Sequence, residues 1–217
     1  SSLGYEVLFH DLAESGRAYL SKGLLKEARQ MAMYNVSTFK SIIDEETPLV
    51  GLEPSAILGF RDEYPRLVTK DMQADAHRLA KHALTIEEFL AQEIDKGHLT
   101  HHPFKETSQK VLLHGHCHQK ALSSIDPTVK LLTLPENYEV EVIPSGCCGM
   151  AGSFGYEKEH YDLSMQVGEL VLFPAIREAQ EETLIAAPGT SCRHHIKDGT
   201  QKHALHPVEI LWEALER

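Results

Sequence analysis

Four cysteines carry most of the chemistry this sequence could perform: Cys117, Cys147, Cys148 and Cys192, all in the second half of the chain. Thiolates act as nucleophiles, redox centres and metal ligands, and four of them suit either a tetrahedral zinc site or a cubane 4Fe–4S cluster. Adjacent Cys147 and Cys148 are awkward disulfide partners for each other, and a secreted disulfide scaffold would be shorter and denser in cysteine. In a chain of 217 residues the cluster therefore reads first as metal-binding or catalytic. Zinc fingers and ribbons usually use paired CxxC knuckles, which this sequence lacks. The competing explanation is ordinary burial, because cysteine is among the most buried residue types. The run SGCCGMAGSFG places Gly146, Gly149 and Gly152 where backbone can approach a cofactor and direct N–H groups at sulfur. His114, His116 and His118 flank Cys117, and His194 and His195 follow Cys192, so each group could supply a ligand or a proton relay. His116, His118, His194 and His195 are the secondary ligand candidates, whereas His101 and His102 are expected to be solvated.

Three strand ends must position these residues. Val111–Leu113, Val140–Ile143 and Leu184–Ala187 are short apolar runs between turn residues and read as buried strands, with Glu6–Phe9 and Pro48–Leu52 as first-half counterparts. Helical periodicity covers 22–43, 74–95, 161–178 and 208–215. Strands alternating with helices imply an α/β fold with mainly parallel sheets covered by helices. Cys117, the Cys147–Cys148 pair and Cys192 each lie just past one strand, and the C-terminal strand ends of a parallel sheet share the edge where ligands bind. The glycine-rich loop is expected to lead into a helix whose positive end lowers the pKa of Cys147 and Cys148.

An internal repeat organises the chain. EETPLVGLEPSA ends at Ala56 and EETLIAAPGTSC ends at Cys192, with an ungapped offset of 136. KHAL at Lys81–Leu84 recurs at Lys202–Leu205, and Tyr5-Glu6-Val7 recurs as Tyr138-Glu139-Val140. Matches in one order imply two duplicated units related by a pseudo-twofold axis: residues 1–97, a linker at 98–108, and residues 109–217 with every cysteine. Val111–Ala121, which contains Cys117, has no first-half counterpart. The chain is therefore expected to begin partway into its first repeat, as a fragment of a longer protein, leaving the first sheet one strand short.

A net charge of −11, with Lys and Arg scattered, argues against a nucleic-acid partner. No apolar run approaches transmembrane length, and SSLGYEVLF has neither a basic n-region nor a signal-peptide core. The expected location is cytoplasmic, at most peripheral at the inner face of the membrane.

The spacing Cys117…Cys147-Cys148-Gly149…Cys192 resembles the cysteine-rich CCG domain of iron–sulfur oxidoreductases. LHGHCHQKAL, SGCCGMAGSFGYEKEHYDLS and APGTSCRHHI are similar to the branch containing the iron–sulfur subunits of glycolate oxidase, anaerobic glycerol-3-phosphate dehydrogenase and lactate-utilisation proteins, including forms fused behind a FAD-linked oxidase. SGRAYLSKGLLKEAR and LVGLEPSAILGFRDEYP extend the resemblance through the first half; the CCG-containing polypeptide of heterodisulfide reductase is a more distant likeness. The resemblance implies a 4Fe–4S cluster on Cys117, Cys147, Cys148 and Cys192, with Gly149 beside it. It implies FAD in a partner domain or subunit, and electron transfer from a flavin-linked 2-hydroxy-acid dehydrogenase to a quinone or another acceptor. A thiol/disulfide reductase and a structural zinc scaffold are the alternatives. The family's closing CxxC here reads Gly189-Thr190-Ser191-Cys192, one ligand short, which argues against a five-cysteine noncubane cluster. The first-half positions read Glu14-Ser15-Gly16 and Glu53-Pro54-Ser55-Ala56, without cysteine, so that half is read as a structural partner.

Overall fold

Short apolar runs become strands in two separate parallel sheets. The computed structural model describes residues 3–10, 14–101 and 104–216. β1 (Leu49–Gly51) pairs with β2 (Ala83–Thr85) in the smaller sheet. β3 (Gln109–Leu113), β4 (Tyr138–Val142), β5 (Leu184–Ala186) and β6 (Ala204–Leu205) form the larger sheet in the order β4-β3-β5-β6. Every pairing is parallel and helices cover the sheets, as an α/β sequence of alternating elements requires.

The repeat offsets reappear in the strand registers. In the smaller sheet Leu49 pairs with Ala83 and Val50 with Leu84; in the larger, Ile185 pairs with Ala204 and Ala186 with Leu205. The EET offset carries Leu49 and Val50 onto Ile185 and Ala186, and the KHAL offset carries Ala83 and Leu84 onto Ala204 and Leu205. The helices that follow start in step. Glu53 and Gly189 are equivalent N-caps, as are Thr85 and His206, and each of the latter pair closes a capping box, with Glu88 or Glu209. The two sheets thus share pairing register and cap positions at the repeat offsets.

Three expected elements differ. Glu6–Phe9 forms no strand, and Phe9 is 91% exposed. In the larger sheet β4 joins only through β3. Among the described residues the smaller sheet has no equivalent of β3, so the particular edge that β4 joins has no counterpart for Glu6–Phe9. The smaller sheet thus has two strands against four, and β1 borders an apolar groove of about 320 Å³ lined by Phe39, Leu52, Ile57 and Phe60. The helical run 74–95 is two helices, Gln73–His82 and Ile86–Asp95, separated by β2. Pairing with β1 and capping by the Thr85 side chain end one helix and start the next. The run 161–178 divides into Tyr161–Leu170 and Leu172–Glu178, because Pro174 lacks an N–H and its ring would clash with the carbonyl of Leu170.

Helix Ile86–Asp95 packs on Asp126–Leu132 and Pro207–Ala214, burying Leu90 with Leu131 and Leu211 in one cluster. Each such leucine stabilises the fold by roughly 1.5–3 kcal/mol, so this first-half helix anchors the second half's core. Phe104 bridges Leu215, and Lys105 N–H donates to the Ala214 carbonyl. His101 is exposed, 3.9 Å from Glu136; His102 lies outside the described residues. No helix among the described residues is long and apolar enough to cross a membrane.

Glu87, in the first turn of Ile86–Asp95, is fully buried. Burial raises its pKa to about 7; Thr85 and nearby backbone offset only part of that, and the Glu88 and Glu53 carboxylates add to it. Neither carboxylate oxygen meets a donor in hydrogen-bonding geometry among the described residues. The folded-state pKa lies above the ordinary value of 4.5, so stability is full below about pH 4.5 and falls as pH rises through 7. The loss is expected to be about 3 kcal/mol at most. Glu87→Gln should flatten this decline in urea unfolding between pH 5 and pH 8.5; an unchanged slope would assign it to another group.

Candidate metal centre

The three chain segments carrying cysteine leave the larger sheet at one edge. After β3, His114-Gly115-His116 lead into helix Cys117–Leu122, with Cys117 as its first residue. After β5, Gly189 caps helix Thr190–Thr200, whose first turn holds Cys192. Cys147 and Cys148 lie in the loop after β4, with no α-helix until Tyr161–Leu170. The expected helix N-terminus beside the adjacent pair is therefore not found; helix starts lie at Cys117 and Cys192 instead. Gly149, Ala151 and Gly152 have φ of 117°, 41° and 73°, and such left-handed turns cannot continue into a right-handed helix.

The four thiols are free and connected. Cys117 hydrogen-bonds Cys147, Cys147 bonds Cys148, and Cys148 bonds Cys192. The hydrogen bond with Cys147, and then burial, pushes the Cys117 thiol up; hydrogen bonds with Cys147 and Cys192, and then burial, do the same for Cys148. The same bonds hold Cys147 and Cys192 well below the ordinary thiol range. The Gly149 N–H adds to this at Cys147 Sγ (3.3 Å), and the nearness of the His114 ring lowers the Cys192 pKa further. Ionisation of one sulfur thus opposes ionisation of its neighbour, because thiolates repel when no cation is present. His114, Cys148 and Cys192 are all buried, with ligand atoms within 4.8 Å of one another. Four sulfurs and an imidazole suit iron–sulfur or zinc chemistry better than hard cations, so these residues fit such a group.

Gly149 is required where it stands. A Cβ there would lie 2.3 Å from the Ser164 carbonyl oxygen and 3.0 Å from His195 Nε2. Ser164 Oγ donates to the Gly149 carbonyl (3.0 Å), and His195 Nε2 lies 3.1 Å from the Ser164 carbonyl oxygen, so two helices clamp the cysteine loop. His195 is thereby engaged in positioning the loop. His194 is exposed and bonds the Tyr156 hydroxyl. His118 is partly buried, 3.9 Å from Glu63, its pKa lowered by burial and by Arg17. His116 caps helix Cys117–Leu122, its Nδ1 accepting from His118 N–H. The His116 ring fills the space over Gly189, where a Cβ would lie 2.4 Å from its Cδ2 and 3.2 Å from Cys192 Sγ.

Two further residues escape motif reading. Glu53, from the first half, accepts the Thr190 N–H (2.8 Å) and so caps the Cys192 helix, with His116 Nε2 3.8 Å from its other oxygen. Burial raises its pKa, but hydrogen bonds from Thr190 and Ser55 and the neighbouring His116 outweigh that and hold it below the usual range. The repeat contained the clue, since the offset carries Glu53 onto Gly189 itself. Lys120 follows Cys117 by three residues, on the same helix face, and donates to the Ser145 (2.5 Å) and Gly146 carbonyls ahead of the adjacent cysteines. Burial lowers its pKa while the four thiols act in the opposite direction.

The sequence is similar to one of the polypeptides of the anaerobic glycerol-3-phosphate dehydrogenase of Escherichia coli K12, with 28% identity over 92% of this chain and 49% of that protein. It is similar to D-2-hydroxyglutarate dehydrogenase of Haemophilus influenzae (26% identity, 99% of this chain, 21% of that protein) and of Pantoea ananatis (25%, 98% and 20%). The chain thus spans about half of the first relative and a fifth of the others. The resemblance to the glycerol-3-phosphate dehydrogenase branch, carried by the cysteine motifs, holds along nearly the whole chain. No family model and no solved structure matches the sequence.

Gly149→Ala should destabilise the protein by about 2–3 kcal/mol through its positive φ and the clash at Ser164, and should speed alkylation of Cys147 and Cys148. Denaturant unfolding and mass-resolved alkylation rates measure both; wild-type values would show that the loop is not clamped as described. Glu53→Ala should cost about 1 kcal/mol by uncapping the Cys192 helix, while Glu53→Gln retains most of the cap; equal losses in the two variants would refute the capping role.

Proposed function

We propose that this chain is the iron–sulfur electron-transfer region of a flavin-linked dehydrogenase acting on a 2-hydroxy acid or a related hydroxylated substrate. Cys117, Cys147, Cys148 and Cys192 are the cluster ligands in this reading. The observation that carries it is the connected set of four sulfurs delivered by three strand ends. The relatives lend the reaction class, since both are dehydrogenases by name and D-2-hydroxyglutarate is a 2-hydroxy acid. The sequence contains no recognisable flavin motif, so a partner domain or subunit would take the hydride equivalent from substrate. When bound, the cluster supplies one-electron storage between that flavin and a quinone or another acceptor.

The chain's own residues have defined parts in this reading. The four thiols titrate as a coupled set, and metal binding would release the protons that the set retains. The Gly149 N–H directs a hydrogen bond at Cys147 sulfur, which stabilises negative charge there. Ser164 and His195 hold the cysteine loop, and Lys120 places a cation beside the sulfurs. Burial of Cys148 and Cys192 keeps water from one side of the site. One observation favours zinc as a second reading: the buried group of one imidazole and two thiols is a familiar part of zinc ligand sets.

Anaerobically purified or reconstituted protein should contain iron and acid-labile sulfide and show broad violet–blue absorption that bleaches on reduction. A colourless protein with stoichiometric zinc would overturn the iron–sulfur reading. Cys148→Ser should abolish cluster retention; iron and sulfide at wild-type content in that variant would remove Cys148 from the ligand set.

A further inference from the structure

We propose that His114 is a ligand of this centre through Nε2, making it a mixed nitrogen–sulfur site. The inference rests on the reading that the four cysteines hold a metal. His114 lies one residue past β3, held by its backbone N–H to the Ala186 carbonyl (2.9 Å), with a fully buried side chain. Its Nδ1 lies 2.8 Å from Ser145 Oγ, on the loop that carries the adjacent cysteines. Its Nε2 is buried with no partner in hydrogen-bonding geometry among the described residues, and a nitrogen of this ring, Cys148 Sγ and Cys192 Sγ lie within 4.8 Å of one another. A buried ring nitrogen without a partner is costly, and metal coordination removes that cost. The pattern is that of a metal-bound histidine: one nitrogen fixed by an outer hydrogen bond, the other presenting its lone pair.

The neighbouring histidines are committed elsewhere. His116 Nδ1 accepts a backbone N–H, which places its proton on Nε2, toward Glu53. His195 Nε2 is engaged by Ser164, and His194 Nδ1 by Tyr156. The position where the resembling family carries an additional cysteine is Gly189, and the His116 ring fills the space a side chain there would need. A fifth donor therefore cannot come from that position. His114 reaches the same sulfurs from the neighbouring strand, since β3 and β5 are paired. A neutral imidazole as fifth donor, where the resembling family has an anionic thiolate, leaves the centre less negative and its reduction potential higher than a fifth thiolate would.

The test uses the full chain labelled with 15N-histidine and reconstituted anaerobically with ferrous iron and sulfide. Pulsed electron paramagnetic resonance of the reduced cluster should show one strongly coupled histidine nitrogen. The coupling should vanish in His114→Asn, whose amide replaces Nδ1 beside Ser145 but offers nothing at Nε2, and should persist in His116→Asn. A wild-type cluster without a coupled histidine nitrogen overturns the inference, and that measurement needs no variant to fold. Coupling that survives His114→Asn overturns it as well. If wild type takes up no iron and sulfide, the iron–sulfur reading fails separately, and Co2+ becomes the probe. A cobalt–thiolate spectrum that shifts in His114→Asn then supports the ligand, and an unshifted spectrum overturns it. A wild-type chain that takes up neither iron–sulfide nor Co2+ ends both the reading and the inference.

Discussion

Four sulfurs sharing one partly buried space cannot all be charged unless a cation joins them. This constraint explains why the titrations of Cys117, Cys147, Cys148 and Cys192 are coupled. It also explains the effort spent around them. Repulsion between thiolates would open the loop after β4 unless something held it, and Ser164, His195 and Lys120 do so through the backbone on either side of the adjacent pair. Glycine at 149 is part of the same solution, because the clamp closes too tightly for a side chain.

The first half serves this centre without contributing a thiol. Glu53 caps the Cys192 helix, the Leu52 carbonyl faces His206 Nε2 (3.0 Å), and Glu88 accepts from the Ser123 hydroxyl. The ends of β1, β2, β5 and β6 thus meet through polar contacts, with the helix starts of each half facing the other. Such contacts are worth little when solvated and much more when buried, which suits an interface that must fix geometry. Glu87 is the cost of that arrangement, a carboxylate shut in among other acids.

The sequence revealed much of the frame because strand ends and cysteines coincide in it. Matching runs at Glu45–Ala56 and Glu181–Cys192 fall on the strands that pair Leu49 with Ala83 and Ile185 with Ala204. Ala83–Thr85 and Ala204–Leu205 were not legible as strands, because two or three residues carry too little periodicity to separate strand from helix. Glu6–Phe9 has a strand's pattern, but strand formation depends on an available edge, which is a tertiary property. At the candidate centre, spacing placed the cysteines past three strand ends, whereas the difference between His114 and His116 depends on which ring nitrogen already has a partner. No one-dimensional pattern encodes that.

The contact between Glu53 and Thr190 spans 137 residues, and that between His206 and Leu52 spans 154. Contacts so distant along the chain carry a large loop-closure entropy, which other contacts must offset. During synthesis Cys117, Cys147 and Cys148 emerge well before Cys192 and the helix it belongs to, so the growing chain holds an incomplete set of thiols for some time. The cap from Glu53 can engage only once Thr190 has been made. The first-half carboxylate thus fixes the start of the Cys192 helix only when both halves have been made and have met.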